Sequence, residues 1–226
     1  MEDRLPASEG FFAGLALDVV SEFEGLGARR RFPAGAVLFL EGDRAHEAVV
    51  ILSGAVKISV GSAQGREVVL DVFEAGALLG ELAVIDGGRR TASVTALTPV
   101  EVLAVAARPF NDFLDQHPQV LRGLLVEVIG RLRTRMRHQL EFGAGDALGR
   151  VCARLVELAD RYGEADGQGT VVSSPVTQSD LAAWTGLSRE AVVKALAKLR
   201  RLGWLGTEGR TITIRDLEGL RRRAAH

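Results

Sequence analysis

The sequence of 226 residues predicts an α+β chain: an antiparallel β-roll of the jelly-roll (double-stranded β-helix) kind, a long helix, and a C-terminal winged helix-turn-helix. Three observations predict it. From Arg31 to Ala106, short apolar or alternating runs (AVLFL, AVVILSG, AVKISV, EVVLDVF, ASVTAL, VEVLAV) are separated by glycine-bearing breaks, the texture of an antiparallel sandwich, roll or barrel. From Pro109 to Phe142 apolar residues recur at spacings of three and four, a helical stripe. Beyond Thr177, two capped helical segments flank a glycine turn, the signature of a helix-turn-helix.

Taken in order, residues 11–27 show helical spacing (Phe12, Leu15, Leu17, Val19, Val20, Phe23) and end in glycines. The roll follows. Within it the stretch LGELAVIDGGRRTA places one carboxylate, Glu81, two guanidiniums, Arg89 and Arg90, and three glycines in an apolar region. From the residues alone, it fits an anion cradle and an ordinary charged hairpin about equally. In the long helix Leu121, Leu125, Val128, Leu132, Met136 and Leu140 form a stripe able to pack on the roll or to pair with its copy in a dimer. The glycine-rich break FGAGD marks a boundary, giving domains at 1–108, 109–143 and 144–226. Asp146 is placed to N-cap a helix over 147–162.

In the rear segment Thr177 and Asp180 have capping-box spacing, and Ser188 caps a second helix running to Gly203. The start of that second helix is where base-reading side chains belong, and it carries Arg189, Glu190 and, one turn on, Lys194. Arg and Lys suit guanine O6 and N7, and Glu accepts from the cytosine amino group. The alternating EGRTITI reads as a β-hairpin wing. Lys198, Arg200, Arg201 and Arg210 add positive charge suited to phosphates.

Composition bounds the rest. Apolar residues make up 47% and charged residues 25%, as in ordinary globular chains. No run reaches the roughly 18 apolar residues of a membrane span, and the acidic, proline-broken start MEDRLPASEG is unlike a signal peptide. The expectation is a cytoplasmic protein with no membrane partner. The single cysteine, Cys152, speaks against a disulfide framework and an iron–sulfur cluster. The histidines at 46, 117, 138 and 226 lack metal-ligand spacing, and nothing positions them for haem. A cupin-like enzyme, the rival use of a small roll, therefore lacks its metal ligands. Residues 1–128 carry 11 basic and 18 acidic side chains, whereas residues 144–226 carry 13 basic and 10 acidic. The basic rear suggests a polyanion partner.

Two motifs, GELAVIDGGRRTA in the roll and TQSDLAAWTGLSREAVVKAL in the rear, resemble those of the cyclic-AMP receptor protein and fumarate-nitrate-reduction regulator family. The resemblance spans roughly residues 15 to 220. It implies a homodimer, with the long helix over 109–143 as its dimerisation helix, that binds an inverted-repeat operator in double-stranded DNA and recruits or blocks RNA polymerase. It also implies a cyclic nucleotide effector, cyclic AMP first, at the junction of roll and long helix. The residues so assigned are Gly80, Glu81, Leu82, Arg90, Thr91 and Ala92, with Arg90 neutralising the cyclic phosphate and Glu81 accepting from the ribose 2′-hydroxyl. At 135 and 136, where the family's adenine-contacting pair of Thr with Ser or Asn falls, this chain has Arg135 and Met136. That departure leaves cyclic GMP, a cyclic dinucleotide or constitutive activity as alternatives. Arg131, Arg133, Arg135 and Arg137 either rim a coiled coil or make an additional anion site. On the DNA side, Arg189, Glu190 and Lys194 match readers of a TGTGA-like half-site. Gln178, Ser179 and Ser188 match phosphate-contacting or capping positions, and Ala191 replaces a threonine that often touches phosphate.

Overall fold

The structure is a computed structural model that describes residues 10–62, 67–144, 146–167, 169–173, 176–208 and 211–225, with backbone alone at 134, 135, 137–144 and 173. The chain divides into two compact units, Met1–Arg131 and Leu132–His226.

The first unit is built on two antiparallel four-stranded sheets. One has the order β1 (Gly27–Phe32), β8 (Val100–Ala106), β3 (Glu47–Ser53), β6 (Leu78–Leu79); the other has β2 (Val37–Phe39), β7 (Ser93–Ala96), β4 (Ala55–Gly61), β5 (Glu67–Glu74). Strands β3 and β8 explain the unbroken apolar runs in the sequence. Val49, Ile51, Val102 and Ala104 face the other sheet, while Val50, Leu103 and Val105 face a helical layer. Alternating side chains of one strand thus enter two different cores, so both faces are apolar along the middle of each strand, and the carboxylates Glu47 and Glu101 sit near the strand ends.

The helical layer comprises a 3-10 turn (Gly10–Phe12), α1 (Leu17–Gly25), α3 (Ala107–Gln116) and the start of α4 (Pro118–Ala144). Its centre is aromatic, with Phe23 in contact with Phe11, Phe12, Phe110 and Phe113 at centroid separations of 5.0–6.2 Å. The helical spacing read over 11–27 is interrupted because Gly14 adopts φ +77°, so α1 begins only at Leu17. The helix read from Pro109 is likewise two helices. His117 leaves the helical region (φ −123°, ψ 71°), as expected for the residue before Pro118.

Helix α4 carries two apolar faces rather than one stripe. Val120, Leu124 and Val128 pack into the aromatic core, while Leu121, Leu125, Val126, Ile129, Leu132 and Met136 are exposed. Leu140 has no described side chain.

The second unit holds α5 (Ala147–Tyr162), α6 (Gln178–Thr185), α7 (Arg189–Arg201), α8 (Leu217–Ala224) and a four-stranded sheet ordered β11 (Leu205–Glu208), β12 (Thr211–Ile214), β10 (Thr170–Ser173), β9 (Gly163–Ala165). Asp146 caps α5 by accepting from the Gly149 amide at 2.8 Å. Trp184 is buried in this unit, as are Leu181, Val192, Leu196 and Leu199, and Trp204 is half-buried just before β11. No helix among the described residues is long and apolar enough to cross a membrane.

Candidate functional site

The stretch 79–92 is neither a plain hairpin nor a loop. It folds as a turn at Gly80, a short helix α2 (Glu81–Ile85), and a return segment whose Arg89 forms an isolated bridge with Arg44. Gly80 sits at φ +79°, in the left-handed region that favours glycine. A Cβ there would lie 2.2 Å from Arg90 Nη1, so the glycine makes room for the guanidinium.

Arg90 is only 6% exposed. Its Nη1 donates to the Gly80 carbonyl at 2.9 Å and its Nη2 to the Glu47 carbonyl at 2.7 Å. Its guanidinium carbon stands 3.6 Å from the centroid of the Phe39 ring. Backbone bonds hold the same residue: Arg90 N donates to the Asp43 carbonyl and Gly42 N donates to the Arg90 carbonyl. Burial pushes the Arg90 pKa down, against the raising fields of Glu47, Glu81 and Asp43. Yet no carboxylate among the described residues comes within ion-pair distance of it. A desolvated cation is costly unless paired, and this one is satisfied only by carbonyls and a ring face.

Glu81 is the acid of the same site, 3% exposed. Its Oε1 accepts from Arg131 Nη1 at 3.0 Å. Arg131 Nη2 donates to the Leu78 carbonyl and to Glu127, and the guanidinium lies 4.8 Å from the Phe73 ring. Burial raises the Glu81 pKa, and the nearby Arg131 charge only partly offsets this. The folded chain therefore holds that proton more tightly than the unfolded chain does. By linkage, the contribution of Glu81 is fullest below the ordinary value of 4.5 and declines as pH rises through the folded value. Glu81→Gln keeps an acceptor for Arg131 and removes the desolvated charge, while Glu127 still balances the arginine. Its stability at neutral pH is expected to stay within about 1 kcal/mol of the parent chain. Its urea midpoint should fall less than the parent's between pH 4.5 and 8. An unchanged pH slope would contradict the assignment.

Other residues of the motif divide. Gly80, Glu81 and Arg90 are brought together; Leu82 and Thr91 are exposed and Ala92 is half-buried. Met136 is exposed on α4, and the Arg135 side chain lies outside the described residues. Arg131, read in the sequence only as one of four crowded arginines, is the direct partner of Glu81. Phe39 and the Glu47 carbonyl were missed altogether. Both lie more than 40 positions from Arg90 in the chain, and no local pattern marks them.

In the second unit the capping box of α6 is complete: Asp180 N donates to Thr177 Oγ1 at 3.1 Å and Thr177 N donates to Asp180 Oδ2 at 3.0 Å. Gly186 ends α6 at φ 65°, and Ser188 caps α7 by accepting from Ala191 N at 3.2 Å. Val192, Ala195, Leu196 and Leu199 bury one face of α7, leaving Arg189, Glu190 and Lys194 exposed on its first turn and a half. Gln178, Ser179 and Ser188 are exposed as well. Hydrogen bonds from its own backbone and from Ser188 hold the Glu190 carboxyl below its usual range, so it presents a charged acceptor. Arg200 donates to Thr207 Oγ1 at 3.0 Å, which ties α7 to strand β11. Arg210 lies outside the described residues.

Residues 29–117 match the cyclic nucleotide-binding domain family and residues 149–223 the Crp-like helix-turn-helix domain family. A CRP-like cAMP-activated global transcriptional regulator of Mycobacterium tuberculosis is 32% identical over 222 residues, 98% of this chain and 99% of that protein. Among solved structures, FixK2 from Bradyrhizobium japonicum superposes with a TM-score of 0.78 at 24% identity, over 88% of this chain and 98% of its own. The c-di-GMP responsive global regulator CLP of Xanthomonas campestris gives a TM-score of 0.77 at 25% identity, over 88% and 99%. Such regulators are not enzymes, which sets aside the cupin-like alternative. With a cyclic nucleotide-binding domain in the first unit, a Crp-like helix-turn-helix in the second and a relative matched end to end, the chain belongs to the cyclic-AMP receptor protein family of DNA-binding transcription regulators.

Proposed function

We propose that this chain is a homodimeric transcription regulator of the cytoplasm whose affinity for an inverted-repeat operator is set by a cyclic nucleotide bound in the roll. One observation carries the effector reading: Arg90 is a buried cation supplied with carbonyls, a ring face and a glycine-cleared approach, but with no carboxylate of its own among the described residues. An anionic ligand completes such a site, and a cyclic phosphate flanked by a ribose suits Arg90 beside Glu81. Cyclic AMP is the first candidate, because the Mycobacterium tuberculosis relative is cAMP-activated. A cyclic dinucleotide is the second, favoured by the c-di-GMP responsive neighbour and by Met136, which lacks the hydroxyl that would discriminate adenine. Ligand controls DNA binding only through unequal affinity for the two states of the protein. Operator affinity measured with and without cyclic AMP, cyclic GMP and cyclic di-GMP tests this. A response to none of the three would remove cyclic-nucleotide control and leave a constitutive DNA-binding regulator.

On the DNA, Arg189, Glu190 and Lys194 read a TGTGA-like half-site, and RNA polymerase is the expected further partner. The exposed apolar face of α4 supports the dimer, since Leu121, Leu125 and Ile129 follow one another at four-residue intervals with no covering layer among the described residues. Leu125, 57% exposed in one chain, adds little to the fold of a single protomer. Leu125→Asp is therefore expected to convert dimer to monomer in sedimentation while leaving the far-ultraviolet spectrum unchanged. A dimer that survives would move the interface elsewhere.

A further inference from the structure

We infer that Phe39 is a positioning residue for the anion-binding guanidinium: its ring fixes the plane in which Arg90 presents its free N–H groups to the effector phosphate. The inference rests on the effector reading and deepens it.

Two in-plane bonds, to the carbonyls of Gly80 and Glu47, fix the guanidinium at its edge. They leave rocking about the line joining the two carbonyls unopposed. The Phe39 ring, with the guanidinium carbon 3.6 Å from its centroid, closes one face against that motion. Phe39 is itself held: it is buried in the inter-sheet core, at the register shift where β2 pairs with Val94 of β7. Gly80 completes the arrangement, since a Cβ there would lie 3.1 Å from Phe39 Cε2 as well as against Arg90. A guanidinium has five N–H donors, so three remain for a ligand, all in the plane that the ring sets. An oxyanion meeting a preoriented fork gains directional bonds without first ordering the side chain.

Leucine at 39 keeps an apolar side chain in the core but removes the π face. Calorimetric titration of Phe39→Leu with cyclic AMP, cyclic GMP and cyclic di-GMP should show roughly tenfold weaker binding of whichever ligand the parent chain takes most tightly. That equals about 1.4 kcal/mol, within the range of a desolvated cation–π contact. Phe39→Tyr, which retains the face, should stay within about threefold of the parent. Should Phe39→Leu melt too low to titrate, Phe39→Met takes its place. Lysine is a point charge with no plane to orient, so in an Arg90→Lys background the same leucine substitution should change affinity by at most about twofold. A loss of equal size in both backgrounds would make Phe39 a general packing residue and overturn the inference. So would parent-like binding by Phe39→Leu while Arg90→Lys binds weakly, an outcome that leaves the effector reading standing. If the parent chain binds none of the three ligands, the effector reading falls and the role of Phe39 falls with it.

Discussion

Arg90→Ala is expected to weaken effector binding by roughly thirtyfold to several thousandfold, the equivalent of about 2–5 kcal/mol for losing one side of a buried charge-assisted contact. The size follows from the site. The guanidinium is almost wholly removed from water and has no carboxylate within ion-pair reach among the described residues, so a bound phosphate would meet an unshared charge. The fold responds in both directions. Alanine removes a desolvated cation but leaves the carbonyls of Gly80 and Glu47 without the donors they now have. Thermal melting of the ligand-free variant should therefore move less than its binding does. Calorimetry at matched temperature separates the two, and Arg90→Lys should fall between, because charge survives without the planar fork. Unchanged affinity in Arg90→Ala would show that the phosphate sits elsewhere.

The second large effect is expected at Arg189. It is exposed at the first position of α7, behind the Ser188 cap, with Glu190 beside it and Lys194 one turn on. A bidentate contact from arginine to guanine discriminates by about 1–3 kcal/mol. A dimer would make that contact twice, about 2–6 kcal/mol in all, so Arg189→Ala should reduce the ratio of operator to random-sequence affinity by roughly thirtyfold to twenty-thousandfold. Binding to random DNA should fall far less, since counterion release from the remaining basic side chains still drives it, and the slope of log affinity against log salt should change by only about one unit per arginine lost. Competition titrations at several salt concentrations measure both quantities. Equal losses on every sequence would make Arg189 a phosphate contact.

Much of this architecture is legible from the chain because burial is periodic. Strands β3 and β8 are apolar on both faces and stand out as unbroken runs, while α5, α6 and α7 carry caps that their flanking residues announce. Elements without such a signal leave little mark in the sequence. Strands β9 and β10 span three and four residues, β9 is exposed throughout, and their segment resembles an ordinary connection. Helix α8, LEGLRRRA, is dominated by charge, although Leu220 anchors it in the core. Helix α2 is too short to show a period, and its start depends on a left-handed glycine. In the candidate site, Glu81 and Arg90 are readable because one motif contains both. The contacts that give those residues their properties, Phe39 under Arg90 and Arg131 on Glu81, cross 50 or so positions and exist only once the sheets and α4 are assembled.

The placement of Trp184 in the core of the second unit has an optical consequence. Both tryptophans and the single tyrosine, Tyr162, lie between residues 162 and 204, and residues 1–131 contain no aromatic side chain but phenylalanine and histidine. Excited at the tryptophan band, the protein emits only from the half that carries α6 and α7. A ligand bound in the roll would change that emission through an effect carried down the chain. Under the proposed control, intrinsic fluorescence would thus be a built-in gauge of signal arrival, and its comparison with calorimetric heat would separate occupancy from transmission without any added label.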